Sequence, residues 1–208
     1  MDYEQAVIDF PVARERSGVE GLILAEEPET IYWSIDIRCE ETFIPECYPN
    51  EDGGAEDGGY TASCHLEISG LVIPVAGWRD LAGQRIDVAY EASHVHPILP
   101  DNPGNFLFAG QHHVPNHNRI AFGERDGCRF GLTWSCVAEG YADETGTRID
   151  VRTRLPLRRF AVYFHEPAVA SVQQALPIVI RFADAGDLGP PDTSREQWVS
   201  FPLRPDVE

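Results

Sequence analysis

Apolar and polar residues alternate with period two over most of this chain. In IYWSIDIRC (31–39), Ile31, Trp33, Ile35, Ile37 and Cys39 fall on one side and polar residues on the other. Side chains alternate in this way on an extended strand with one buried face. The same pattern marks GLILA (21–25), YTASCHLEI (60–68), LVIPV (71–75), QRIDVAYE (84–91), NFLFAG (105–110) and RIAFGE (119–124). It continues in CRFGLTWSCVAEG (128–140), RIDVRTRL (148–155), RFAVYF (159–164), LPIVIRF (176–182) and QWVSF (197–201). Eighteen glycines and sixteen prolines punctuate the segments. Many short strands with one polar face predict an all-β fold: an antiparallel two-sheet β-sandwich, in one domain over 1–208.

One short helix is predicted near 167–176, where EPAVASVQQAL places Pro167 at the first turn and Val169, Val172 and Leu176 on one stripe. A weak internal echo pairs IYWSIDIRCEE and YTASCHLEISGLVI with FGLTWSCVAEG and RIDVRTRLPLRRF. It admits a duplicated hairpin unit with pseudo-twofold symmetry, although any two hairpins share a period of two. Between the first pair lies ECYPNEDGGAEDGGY, with Glu-Asp-Gly-Gly at 51–54 and again at 56–59. Its carboxylates invite a calcium reading, but the order of an EF-hand loop is missing. Residues 50–59 are expected to form a flexible acidic loop.

Composition narrows the role. The formal net charge is −18, and all sixteen basic residues are arginine. Such a surface repels phosphates and anionic lipid and attracts basic proteins, so neither nucleic acid nor membrane is expected as a partner. No apolar run approaches the roughly 20 residues that span a bilayer, and MDYEQAVIDF lacks the plan of a secretory signal. Of five cysteines, Cys39, Cys64, Cys128 and Cys136 share phase with apolar neighbours, as buried free thiols do; Cys47 is the exception. The expected compartment is the cytoplasm, and the expected setting bacterial.

Portable catalytic motifs are absent: no nucleophile elbow, phosphate loop, dinucleotide fingerprint, His-Glu-x-x-His or Cys-x-x-Cys. Five of seven histidines crowd one segment, as His94, His96, His112, His113 and His117. His94 and His96 project to one side of an extended chain and can give two imidazoles to a divalent transition metal. The pair resembles the His-x-His of the cupins, metal-binding double-stranded β-helices. The resemblance covers those residues only, because PILPDNPG stands where that family carries its glutamate and glycines. Dispersed rim histidines are the expected arrangement. Arg148, Arg152 and Arg154 share one strand face, a candidate anion site or a row of ion pairs with Glu139, Glu67 or Asp36. Tyr163, His165 and Glu166 form a further acid–base candidate. The pattern favours a non-enzymatic binding module for a basic protein partner, of which a bacterial immunity-type inhibitor is one form, with no cofactor. The alternative is a metal-dependent β-sandwich or barrel enzyme built on the loop from His94 to His117.

Overall fold

The computed structural model describes residues 10–49, 55–88, 104–108, 111–140 and 143–207. Eleven strands are present among them: β1 (Gly18–Leu24), β2 (Ile31–Arg38), β3 (Thr42–Pro49), β4 (Ala55–Ala62), β5 (Cys64–Val72), β6 (Arg85–Val88), β7 (Gly104–Phe108), β8 (Gln111–Asp126), β9 (Arg129–Gly140), β10 (Asp143–Tyr163) and β11 (Trp198–Pro202). The protein is mostly β with one α-helix, α1 (Val172–Val179). Nine strands form one sheet in the order β1-β2-β5-β7-β8-β9-β10-β11, with β6 beside β8; β3 and β4 form a second, two-stranded sheet.

This is not the antiparallel two-sheet sandwich that alternation alone suggests. The large sheet is mixed, because β1 pairs with β10 in parallel, and it is curled. Two long strands cause the curl. β8 pairs with β7 through residues 111–113 and with β6 through residues 118–121. Between these stretches one extra residue enters β8 relative to β9, at Asn116–Arg119. A bulge of this kind bends its strand. His117 sits there at φ 50, and the buried Asn118 amide donates to the Pro115 carbonyl at 2.8 Å. β10 pairs with β9 as far as Pro156, then takes β1 and β11 as neighbours over Leu157–Tyr163. Proline has no N–H to give, and Pro156 stands on the last rung shared with β9. Taken from sequence as a break between two strands, it marks a change of partner within one.

The core lies inside the curl. Trp33, Trp78, Trp134, Phe130 and Phe160 are its largest fully buried side chains. Trp33 and Phe160 meet edge to face with centroids 6.1 Å apart, across Gly21 of the strand between them. Trp78 lies on a 3-10 turn (Trp78–Leu81) that is anchored to a distant segment. Its indole N–H donates to Asp187 Oδ2 at 3.2 Å, while Arg79 donates to both oxygens of the same buried carboxylate at 2.7 and 3.0 Å.

The helix is displaced from its expected place. Pro167–Val169 make only a 3-10 turn; α1 starts at Val172 behind the Ser171 cap and runs through Val179. The apolar run 176–182 is therefore helix and turn rather than strand. Its β-branched residues misled the reading: buried helix and buried strand look alike over so short a run. The hairpin echo holds to the extent that β2–β5 and β9–β10 are both antiparallel pairs. Beyond them the likeness ends, since β5 passes to antiparallel β7 and β10 to parallel β1.

Candidate functional site

The most distinctive feature grows out of the β2–β5 pair. That ladder ends with Arg38 opposite His65, and a new one begins with Thr42 opposite Ala62. One extra residue on the β2 side separates them, so β3 and β4 continue the same ribbon beyond a bulge. Each strand of this arm has eight residues, roughly 25 Å at about 3.3 Å per residue. Among the described residues neither β3 nor β4 pairs with any other strand. The acidic segment expected at 50–59 falls here: residues 55–59 belong to β4, opposite Pro45–Pro49 of β3, and 50–54 lie outside the described residues. Between Cys39 and Cys64 the sequence holds Glu40, Glu41, Glu46, Glu51, Asp52, Glu56 and Asp57 and no arginine. Phe43, near the base of the arm, is 61% exposed.

At the root of the arm two cysteines face each other. The 38–65 register, carried one rung further, sets Cys39 opposite Cys64, and the Cys39 N–H donates to the Cys64 carbonyl at 2.9 Å. Cys39 is buried and Cys64 half-buried. A hydrogen bond from the Cys64 thiol holds the Cys39 pKa below its ordinary value; burial and the charge of Glu40 oppose this, and His65 assists it. The Cys64 thiol is pushed up by that same hydrogen bond, then by burial. Cys136 differs: burial, with the charge of Asp150, raises it to about 12.

On the other face of the same two strands, Asp36, His65 and Glu67 converge. Asp36 and Glu67 stand directly opposite each other, an unfavourable placement for two negative charges. His65 Nε2 lies between them, 3.0 Å from Asp36 Oδ1 and 3.3 Å from Glu67 Oε2. Arg38 reaches both oxygens of Asp36. Burial alone would raise the Asp36 pKa, but the hydrogen bonds from His65 and Arg38 outweigh it and hold it below the usual value. The donor atoms of these three residues lie within 4.8 Å of one another, and they are of the types zinc, iron or nickel accept. With Arg38 on Asp36 and His65 between the carboxylates, the group is already satisfied as an ion-paired patch.

The outer face of β6, β8, β9 and β10 carries a shallow groove. Its rungs run Arg85–Ala121–Thr133–Arg152 and Asp87–Arg119–Ser135–Asp150. Of the arginines proposed for anions, Arg148 bonds Asp150 at 2.7 Å and Arg154 bonds Asp126 at 3.0 Å. Neither is paired with Glu67 or Asp36, and the side chain of Glu139 lies outside the described ones. Arg152 has no such partner among the described residues and faces Arg85 along its rung.

The histidine segment is only partly described. His94 and His96 lie outside the described residues. The backbone of His112 and His113 stands in β8 opposite Leu107 and Phe106. His117 is exposed at the bulge, four or five residues further along the strand, roughly 13–17 Å away. Tyr163 stacks edge-on against Trp198, with centroids 4.9 Å apart. His165 and Glu166 are exposed beyond the strand end, and no hydrogen bond among the described residues joins the three. The paired cysteines and the Asp36 group escape a reading of the sequence in one dimension. Their local signals, Asp-Ile-Arg at 36–38 and His-Leu-Glu at 65–67, are legible, but not that the two stretches are neighbours. No protein family, curated protein or solved structure matches the chain. No helix among the described residues is long and apolar enough to cross a membrane.

Proposed function

We propose that this protein is a non-enzymatic binding module that engages a basic protein partner through the β3–β4 arm. The observation that carries this reading is the arm itself. It is a ribbon paired only with itself among the described residues, with five carboxylates between Thr42 and Ala62 and no cation. A two-stranded ribbon contributes little to its own stability, so its retention needs another reason. Concentrated negative charge accelerates encounter with a basic surface and penalises wrong partners. The exposed Phe43 adds the aromatic area on which such interfaces close. An inhibitor of the immunity type is one protein that would work this way. The same charge turns away nucleic acid. The burial of Cys39 and Cys136 supports a reducing, cytoplasmic setting.

The test compares two variants with equal charge change. One neutralises the arm (E46Q, E51Q, D52N, E56Q, D57N). The other neutralises five exposed carboxylates elsewhere (E15Q, E26Q, E124Q, E166Q, E196Q). Each is titrated with a cysteine-free arginine-rich peptide at low and physiological salt. The arm variant should lose about tenfold or more in affinity and the control variant far less, because local rather than net charge sets complementarity. Equal losses would retire the arm as the binding element.

A further inference from the structure

We propose that Cys39 and Cys64 are a modification site: a dithiol that hydrogen peroxide converts to a reversible disulfide at the root of the arm. Residues directly opposite on antiparallel strands, as the register sets these two, stand about 4.5–5.5 Å apart at Cα. That lies inside the roughly 4.4–6.8 Å window a disulfide spans without moving backbone. Cys136, by contrast, stands opposite Ile149 on the β9–β10 ladder. The site sits where the ribbon leaves the main sheet, beside the bulge, with Glu40 and Ser63 exposed around it. Peroxide can therefore approach from the break in the ladder.

The two sulfurs are inequivalent in the sense the chemistry needs. Cys39 accepts a hydrogen bond from the Cys64 thiol, which favours its thiolate, the nucleophilic form. The thiolate attacks one peroxide oxygen; the O–O bond breaks, hydroxide leaves, and Cys39 becomes a sulfenic acid. The Cys64 sulfur then attacks the Cys39 sulfur, and the hydroxyl departs with the Cys64 proton as water. In sum, two thiols and one peroxide give one disulfide and two waters. A thiol such as glutathione reverses the reaction by exchange. The covalent rung pins β2 to β5 where the arm begins and so restricts the arm's motion. The consequence for binding rests on the proposed role of the arm; the modification does not.

The full-length reduced chain is treated with about one equivalent of peroxide and followed by intact mass and peptide mapping, alongside C47S, C39S and C64S. Wild type and C47S should each lose two hydrogens, yield a Cys39–Cys64 crosslinked peptide and recover with dithiothreitol. C64S should stop at a sulfenic acid on Cys39. A crosslink through Cys47, or oxidation of wild type and C47S with no 39–64 crosslink, would overturn the proposal, whatever the serine variants do. The arginine-rich peptide is then titrated against reduced and oxidised wild type. Oxidation should tighten binding by about threefold to tenfold, because a restrained arm loses less freedom on binding. Equal affinities would overturn the coupling to the arm. A peptide that binds neither form would retire the arm's role and leave the crosslink standing.

Discussion

Two tryptophans show how much a single polar atom matters. Trp134 and Trp33 are both fully buried, but their indole nitrogens are treated differently. Trp134 donates to Asn118 Oδ1 at 2.9 Å, whereas Trp33 Nε1 has no partner among the described residues. Trp134→Phe therefore strands a buried amide oxygen at the β8 bulge as well as losing ring volume, and should cost about 2–4 kcal/mol. Trp33→Phe loses volume but also relieves an unsatisfied donor, and should cost roughly 1–2 kcal/mol less. Urea denaturation of both variants checks the order. Asp36 makes a second residue-scale prediction. Its pKa is depressed in the folded protein, so its stabilising contribution is complete above the unfolded value and is lost as pH falls through the folded one. Asp36→Asn should make the stability curve flatter than wild type below about pH 4, with the two curves parallel above pH 5. Parallel curves throughout would show that the Arg38 and His65 contacts carry no net stabilisation.

Elements divide into those that build the body and one that does not. β9 pairs along nearly its whole length on both sides, and β1 lies between β2 and β10. Among the described residues the arm has no such neighbours. Replacing residues 42–62 by an Asn-Gly turn should leave the body folded, with a melting temperature within about 5 °C of wild type. Thermal unfolding followed by tryptophan fluorescence suits this test, since no tryptophan lies in the arm. A collapse in stability would mean that the arm is a structural strand pair. Helix α1 shows a limit of local reading: Ser171 caps it through Gln174 N–H, yet Pro177 and the following β-branched residues resemble a strand. The burial pattern decides the matter: a strand would put Ala175, Pro177 and Val179 on one face, but Pro177 is exposed while Ala175 and Val179 are buried, as residues four apart on a helix are.

At the scale of the whole molecule, the pairings run from β1 through β2, β5, β7, β8, β9 and β10 and return to β1. The return depends on glycine. Gly21 lies on the strand between Trp33 and Phe160, and a Cβ there would stand 2.8 Å from the Phe160 ring, which packs edge to face against Trp33. Gly21→Ala should therefore destabilise by about 1–3 kcal/mol, as overpacked cores do. Chemical denaturation measures it, and a neutral result would show that the parallel pair has slack. The 18 net negative charges oppose compaction of the whole chain, which the core must outweigh.

Alternation of apolar and polar residues by itself determined that this protein is all-β, which face of β2, β5 and β9 is buried, and that Cys39 and Cys136 lie inside. Those properties follow from a period of two and need only the nearest neighbours along the chain. What only the tertiary structure decided is adjacency. That β10 is one strand across Pro156, that β1 meets it in parallel, that 55–59 belong to a paired arm, and that Cys39 meets Cys64 are facts of register between distant segments. Register is set by the sum of many side-chain contacts across the ladder, together with bulges at places such as Asn116–Arg119. No single stretch of sequence contains that sum.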